Sequence, residues 1–178
     1  GSGFCFYSDI AIAAEHLWQQ KPKASIMVID LDAHQGNGFE DIFQNDARVT
    51  IFDMYTKGIY PNDQIAQKYI DHEVRLAIGV RDSFYLAQLE DQLSSLLSSE
   101  KPDLIIYNAG TDVFEMDPLG RMAISEEGII QRDGLVFTYA RLQKVPVLMV
   151  LSGGYTKQSG KIIGKSITNL VQNVLPAL

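Results

Sequence analysis

Three side chains near the first apolar run stand at alternate positions and carry cation-binding groups: Asp30, Asp32 and His34, separated by Leu31 and Ala33. In an extended segment residues two apart project to the same side, so the carboxylates and the imidazole would converge while the apolar pair packs away. Two carboxylates and an imidazole, with no thiolate, suit a divalent metal. Zinc leads where three protein ligands leave a position open. The rival reading is a strand that ends in polar residues capping turns. Asp112, which ends another apolar run after Ala109 and Gly110, tips the balance by offering a further carboxylate. A later run is followed by Ser152-Gly153-Gly154-Tyr155. Two glycines let backbone approach a ligand closely, and a tyrosine just beyond could stabilise a developing oxyanion. An aromatic plug at a strand-to-helix turn fits that string equally well.

Other reactive residues are less well placed. His16 sits in a helical pattern beside Leu17 and Trp18, and His72 in the charged stretch Asp71, Glu73, Arg75; both read as surface or packing residues. Cys5 reads as a small buried residue, because nothing near it would lower its pKa. Gly36-Asn37-Gly38 lacks the downstream Lys and Ser/Thr of a phosphate-binding loop, and no GxGxxG occurs.

Positioning such groups is the work of strand ends. Residues 25–30, 48–53, 104–108 and 145–151 are nearly continuous in apolar side chains, as parallel strands covered on both faces should be, and 74–78 reads as a shorter strand. Between them, 9–20, 83–99, 125–142 and 156–174 carry helical spacing; Ile10, Ala13, Ala14 and Leu17 share one face. Ser125 reads as a helix start without the capping-box Glu at the third position. The alternation predicts an α/β domain, three-layer αβα, with a mainly parallel sheet and right-handed crossovers. In such sheets the ligand site forms outside the carboxyl ends of the strands, where the polar strings above fall.

Composition narrows the class. The 178 residues are 46% hydrophobic and 21% charged, which is ordinary globular composition and one domain, 1–178. Fifteen basic against 22 acidic side chains give a net charge of −7, which argues against direct nucleic-acid binding. A single cysteine excludes an intrachain disulfide. No apolar run approaches the roughly 18 residues of a membrane span. No signal-peptide pattern is present, so the expected location is the cytoplasm, or the nucleus in a eukaryotic source. Gly1–Ser2 reads as a cloning scar.

Taken in order, Gly3-Phe4-Cys5, Asp30-Leu31-Asp32-Ala33-His34-Gln35-Gly36-Asn37-Gly38, Asn108-Ala109-Gly110-Thr111-Asp112 with Asp117 beyond it, Leu119-Gly120 and Ser152-Gly153-Gly154-Tyr155 resemble the successive motifs of the zinc-dependent histone deacetylases. The variants are most similar to the class IV branch. The resemblance implies an arginase/deacetylase-type fold and hydrolysis of N-ε-acyl-lysine in histones or other proteins. It implies Asp32, His34 and Asp112 as zinc ligands and Tyr155 as the catalytic tyrosine. By the same resemblance Asp30 orients a catalytic histidine and contributes to a structural potassium site. Asn37 stands where many members have a second such carboxylate, and Asp53 where others place a serine near the potassium. Gly3, Phe4, Tyr60, Leu119 and Gly154 match positions lining the acyl-lysine tunnel.

The resemblance also implies a departure. The family's His-His dyad, which activates water and protonates the leaving amine, lies just ahead of the Gly-Phe-Cys motif, so the chain reads as a C-terminal portion of the domain, missing its N-terminal part. Two alternatives follow: a non-catalytic subunit that binds acyl-lysine, and a small-molecule amidohydrolase acting on acetylpolyamines. The neighbouring arginase-like enzymes need a bridging carboxylate two residues after the histidine. Gly36 stands there, which favours one metal.

Overall fold

The apolar run at 25–30 becomes the central strand β1 (Ile26–Asp30), every residue of which is buried. The computed structural model describes residues 3–176. Around β1 lie β2 (Val49–Thr56), β3 (His72–Leu76), β4 (Leu104–Asn108) and β5 (Val147–Val150), in the order β3-β2-β1-β4-β5, all parallel. The helices are α1 (Asp9–Gln20), α2 (Asn37–Ile42), α3 (Asp82–Ser99), α4 (Glu126–Leu142) and α5 (Ser159–Asn169).

Strand periodicity sorts the core into two layers around the sheet. Ile26, Val28 and Ile106 point one way, onto Ala14 and Trp18 of α1 and Phe39 of α2. Met27, Ile29, Ile105 and Tyr107 point the other way, onto Leu89 and Leu93 of α3, Ile129 and Val136 of α4 and Ile162 of α5. This is the expected three-layer αβα arrangement. Ser125 does cap α4, accepting the N–H of Gly128 at 3.0 Å. Its hydroxyl also donates to Asp82 at the start of α3, at 2.5 Å.

Several bounds differ from expectation, each for a local reason. β2 runs on to Thr56 because Met54, Tyr55 and Thr56 find partners in Val74, Arg75 and Leu76, which also moves β3 ahead of the expected 74–78. β5 is shorter than 145–151, since Pro146 has no N–H to give to a ladder. The helix expected over 156–174 starts at Ser159, after a turn in which the Thr156 hydroxyl accepts the N–H of Gln158 at 3.2 Å; it ends in a π-helical turn at Leu170–Val174. The six-residue α2 and a 3₁₀ turn at Ala66–Tyr69 are too short to leave a helical period. Among the described residues no helix is long and apolar enough to cross a membrane.

For the site, the decisive feature is the strand order. The chain moves outward from β1 to β3 and then returns to add β4 and β5 on the other side, so β1 and β4 flank the switch point, with Asp30 opposite Asn108. Crevices of open α/β sheets form at that point.

Candidate metal centre

β1 ends at Asp30, and the chain then bends instead of staying extended. The Asp30 carboxylate accepts the N–H of Asp32 at 2.9 Å, and the Asp32 carboxylate accepts the N–H of His34 at 2.9 Å. Two successive side-chain-to-backbone bonds therefore fold the Asp-x-Asp-x-His string. This corrects the expected extended geometry: Asp32 and His34 converge through turns, and Asp30 lies behind them as a support. From the segment that follows β4, Asp112 reaches across to accept the N–H of Ala33 at 2.8 Å. The His34 Nδ1 lies 2.8 Å from Asp112 Oδ2 and 3.1 Å from Asp32 Oδ1. One donor atom from each of Asp32, His34 and Asp112 falls within 4.8 Å of the others.

Both carboxylates are buried, and backbone wraps them closely. The N–H of Gly153 donates to Asp32 Oδ2 at 2.9 Å. A Cβ at Gly153 would come within 2.5 Å of oxygens of both Asp32 and Asp112, so only glycine lets this strand end approach. Gly154 has φ +150°, and a Cβ there would lie 2.1 Å from the Thr111 hydroxyl. Burial, then the Asp32 charge, push the Asp112 carboxyl up to about 7. Burial works against a charge on His34, yet the Asp112 and Asp32 carboxylates outweigh it and hold the imidazole protonated up to about 10. The cluster thus needs positive charge between two buried carboxylates, which a proton on His34 or a divalent cation can supply.

Tyr155 stands at the mouth. Its ring meets that of His34 edge-on at 6.4 Å and that of Phe4 at 6.0 Å. Burial, then the charges of Asp32 and Asp112, push its hydroxyl up to about 12. Asp117 fixes the backbone beneath it: one carboxylate oxygen accepts the Tyr155 N–H at 2.8 Å, the other those of Leu119 at 2.9 Å and Gly120 at 3.2 Å. The sequence marks Asp117 only as part of a motif, because a carboxylate that binds backbone leaves no spacing pattern.

The remaining expected residues divide. Gly3 donates its N–H to the Tyr60 hydroxyl at 3.3 Å, and Phe4, Tyr60 and Leu119 are exposed around the mouth. Asn37 opens α2 and donates to Asp63 Oδ2 at 3.2 Å, with no bond to the cluster. Asp30 and Asp53 are buried with Glu40, and burial pushes all three carboxyls upward. The Asp53 and Glu40 carboxyls lie within hydrogen-bond reach of each other, so a proton that burial keeps on one is shared with the other. His16 pairs with Gln20 and His72 with Glu100, both away from the cluster. Cys5 is exposed, contrary to expectation, because it precedes α1 in a surface loop together with exposed Phe4, Phe6 and Tyr7.

Known proteins are similar to this chain in sequence and in fold. The sequence profile of the histone deacetylase domain matches residues 1–173. Histone deacetylase 2 of Arabidopsis thaliana is 44% identical over 170 residues, 96% of this chain and 44% of that protein. The solved HDA15 HD domain superposes with a TM-score of 0.77 at 25% identity, covering 96% of this chain and 51% of that one. The acetylpolyamine aminohydrolase of Burkholderia pseudomallei shares the fold, with a TM-score of 0.82 at 23% identity over 98% of this chain and 52% of that one. The chain spans about half the length of these relatives. With its sheet of the arginase/deacetylase type and a profile match over nearly every residue, the chain belongs to the histone deacetylase family of hydrolases.

Proposed function

We propose that the chain carries the metal-binding part of a zinc-dependent hydrolase of the class IV branch, which removes acetyl or longer acyl groups from N-ε-acyl-lysine in histones or other proteins. The observation that carries this reading is the gathering of Asp32, His34 and Asp112 within 4.8 Å, with Tyr155 beside them. Two buried carboxylates and one imidazole, closed in by a glycine backbone, fit one zinc ion in donor chemistry and charge. When bound, zinc supplies polarisation of the scissile carbonyl and a more acidic water.

The chain's own residues do the rest. Asp30 holds the Asp32 N–H and so fixes the first ligand. Tyr155, with its hydroxyl pushed up to about 12, keeps its proton at neutral pH and would donate a hydrogen bond where charge develops on the acyl oxygen. Phe4, Tyr60 and Leu119 would line the passage for the acyl-lysine stem, with Gly3 braced on Tyr60 and Gly154 at the floor. The Asp30 backbone, with Asp53 near it, would contribute to a structural potassium site. All three histidines of the sequence are placed, one in the cluster and two elsewhere. By the family resemblance, a His-His pair of the whole protein would supply the base for water and the acid for the leaving amine, with Asn37 beside it. The substrate is a protein in the cytoplasm or nucleus, and the acidic surface makes no direct nucleic-acid contact.

The test is hydrolysis by the full-length protein of acetyl- and long-acyl-lysine peptides and of acetylspermidine, with Asp112→Asn as the blank. Hydrolysis of the peptides, abolished in the variant, is expected. Turnover of acetylspermidine alone would make the protein a small-molecule amidohydrolase. Zinc binding and peptide binding without turnover would make it a non-catalytic binder.

A further inference from the structure

Behind the cluster, on the α3–α4 side of the sheet, lies a charged side chain that no part of the proposed chemistry uses. Arg132 of α4 is 0% exposed. Its guanidinium donates to the carbonyls of Leu31 at 3.2 Å, Gly110 at 2.6 Å and Ala109 at 3.3 Å. Its Nε donates to the adjacent Asp133 at 2.9 Å, and Asp133 in turn accepts the hydroxyls of Tyr107 and Ser166, each at 2.5 Å.

The three carbonyls belong to the two segments that carry the carboxylate ligands. Leu31 immediately precedes Asp32, and Ala109 and Gly110 lie just ahead of Asp112. The β1–β4 ladder stops there, with the Leu31 N–H donating to the Asn108 carbonyl at 3.0 Å. Beyond that bond, carbonyls of both chains converge in the buried interior, where unpaired they would be costly and would push the segments apart. A guanidinium offers five donors in a fixed plane, enough to satisfy three carbonyls and still keep its counterion.

We propose that Arg132 is a positioning residue for the metal centre, tying the ends of β1 and β4 together beneath Asp32 and Asp112 and so setting the separation of the two carboxylates. This rests on reading the cluster as a metal site. Asp133, anchored by Tyr107 of β4 and Ser166 of α5, fixes the guanidinium in turn. The zinc geometry is then held by three elements, β1, β4 and α4, although only two of them supply ligands.

The test compares Arg132→Met and Arg132→Lys with the native protein by two readouts. The first is zinc affinity, by competition with a chromogenic chelator. Arg132→Met should weaken it by about 10–100-fold, the usual effect of removing a group that orients ligands. Arg132→Lys, which keeps the charge but reaches fewer carbonyls, should recover part of that loss. The second readout needs no metal. Amide hydrogen exchange at Ala33 and Gly153, whose N–H groups bind the Asp112 and Asp32 carboxylates, should speed up in Arg132→Met far more than exchange in the β2–β3 ladder. If Arg132→Met does not fold, Arg132→Lys and Ser166→Ala should show a smaller effect of the same pattern. Uniform acceleration at all amides with unchanged zinc affinity would overturn the proposal, leaving Arg132 as a general contributor to stability. If the native protein binds no zinc, the metal reading fails, and the exchange contrast still decides whether Arg132 positions the two carboxylates.

Discussion

In Tyr155 and Asp53, burial holds a proton on two groups of different chemistry. Burial and the charges of Asp32 and Asp112 discourage a further negative charge on Tyr155, so in the proposed chemistry it keeps its proton and would donate a hydrogen bond. In the active protein, Tyr155→Phe should lower kcat by about 10²–10³ while zinc content and ground-state peptide affinity stay nearly constant, since the oxyanion forms only on the way to the transition state. Steady-state kinetics with metal analysis checks this; an unaffected kcat would remove Tyr155 from the chemistry. For Asp53, burial first and the Asp30 charge next raise the carboxyl pKa. A carboxyl raised in the folded state contributes stability in full below its unfolded value, about 4, and loses it as pH rises through the folded value. Asp53→Asn cannot ionise, so without potassium it should raise Tm by about 2–4 °C at pH 8, by less near pH 5 and hardly at all below about pH 4, read by calorimetry. A lower Tm at pH 8 would show that Asp53 is ionised there and useful as such. At this scale Asp32, His34 and Asp112 stand out in the sequence because each has a distinctive side chain at a strand end. Asp117 shows in the sequence only as part of a motif, and Arg132 not at all, because both act on backbone N–H and carbonyl groups, which every residue has.

At the level of elements, the site depends on how α3 and α4 start. Ser125 caps α4 through the Gly128 N–H and joins it to Asp82 of α3, and α4 then carries Arg132 beneath the cluster. Ser125→Ala should cost about 1–2 kcal/mol of stability in urea denaturation, toward the upper end because the Asp82 bond is lost with the cap. No measurable loss would mean that packing of Ile129 and Val136 alone fixes the helix start. The buried strands β1 and β4 were legible because burial on both faces demands unbroken apolar runs. β2 and β3 depart from their expected bounds at the ends, where pairing with a neighbour and not local composition decides how far a strand extends. The turn after Asp30 departs from the extended geometry for a related reason: an Asp side chain that bonds to backbone two residues on leaves alternation intact while bending the chain.

For the whole molecule, the strand order is what brings distant residues together. Asp32 and Asp112 meet because β1 and β4 are adjacent at the switch point, and a sequence pattern that predicts strands says nothing about which of them pair. β5 pairs with β4 alone among the described strands, and its Leu148 and the nearby Leu151 are exposed in a chain about half as long as its relatives. The claim on which the rest depends is the single metal ion held between the two strand ends. X-ray absorption at the zinc edge of the zinc-loaded protein tests it most directly. One zinc per chain is expected, with one histidine nitrogen and carboxylate oxygens at about 2.0–2.2 Å, the signal being lost in Asp112→Asn. No bound zinc, or a second metal at about 3.5–4 Å from the first as in two-metal hydrolases, would contradict it.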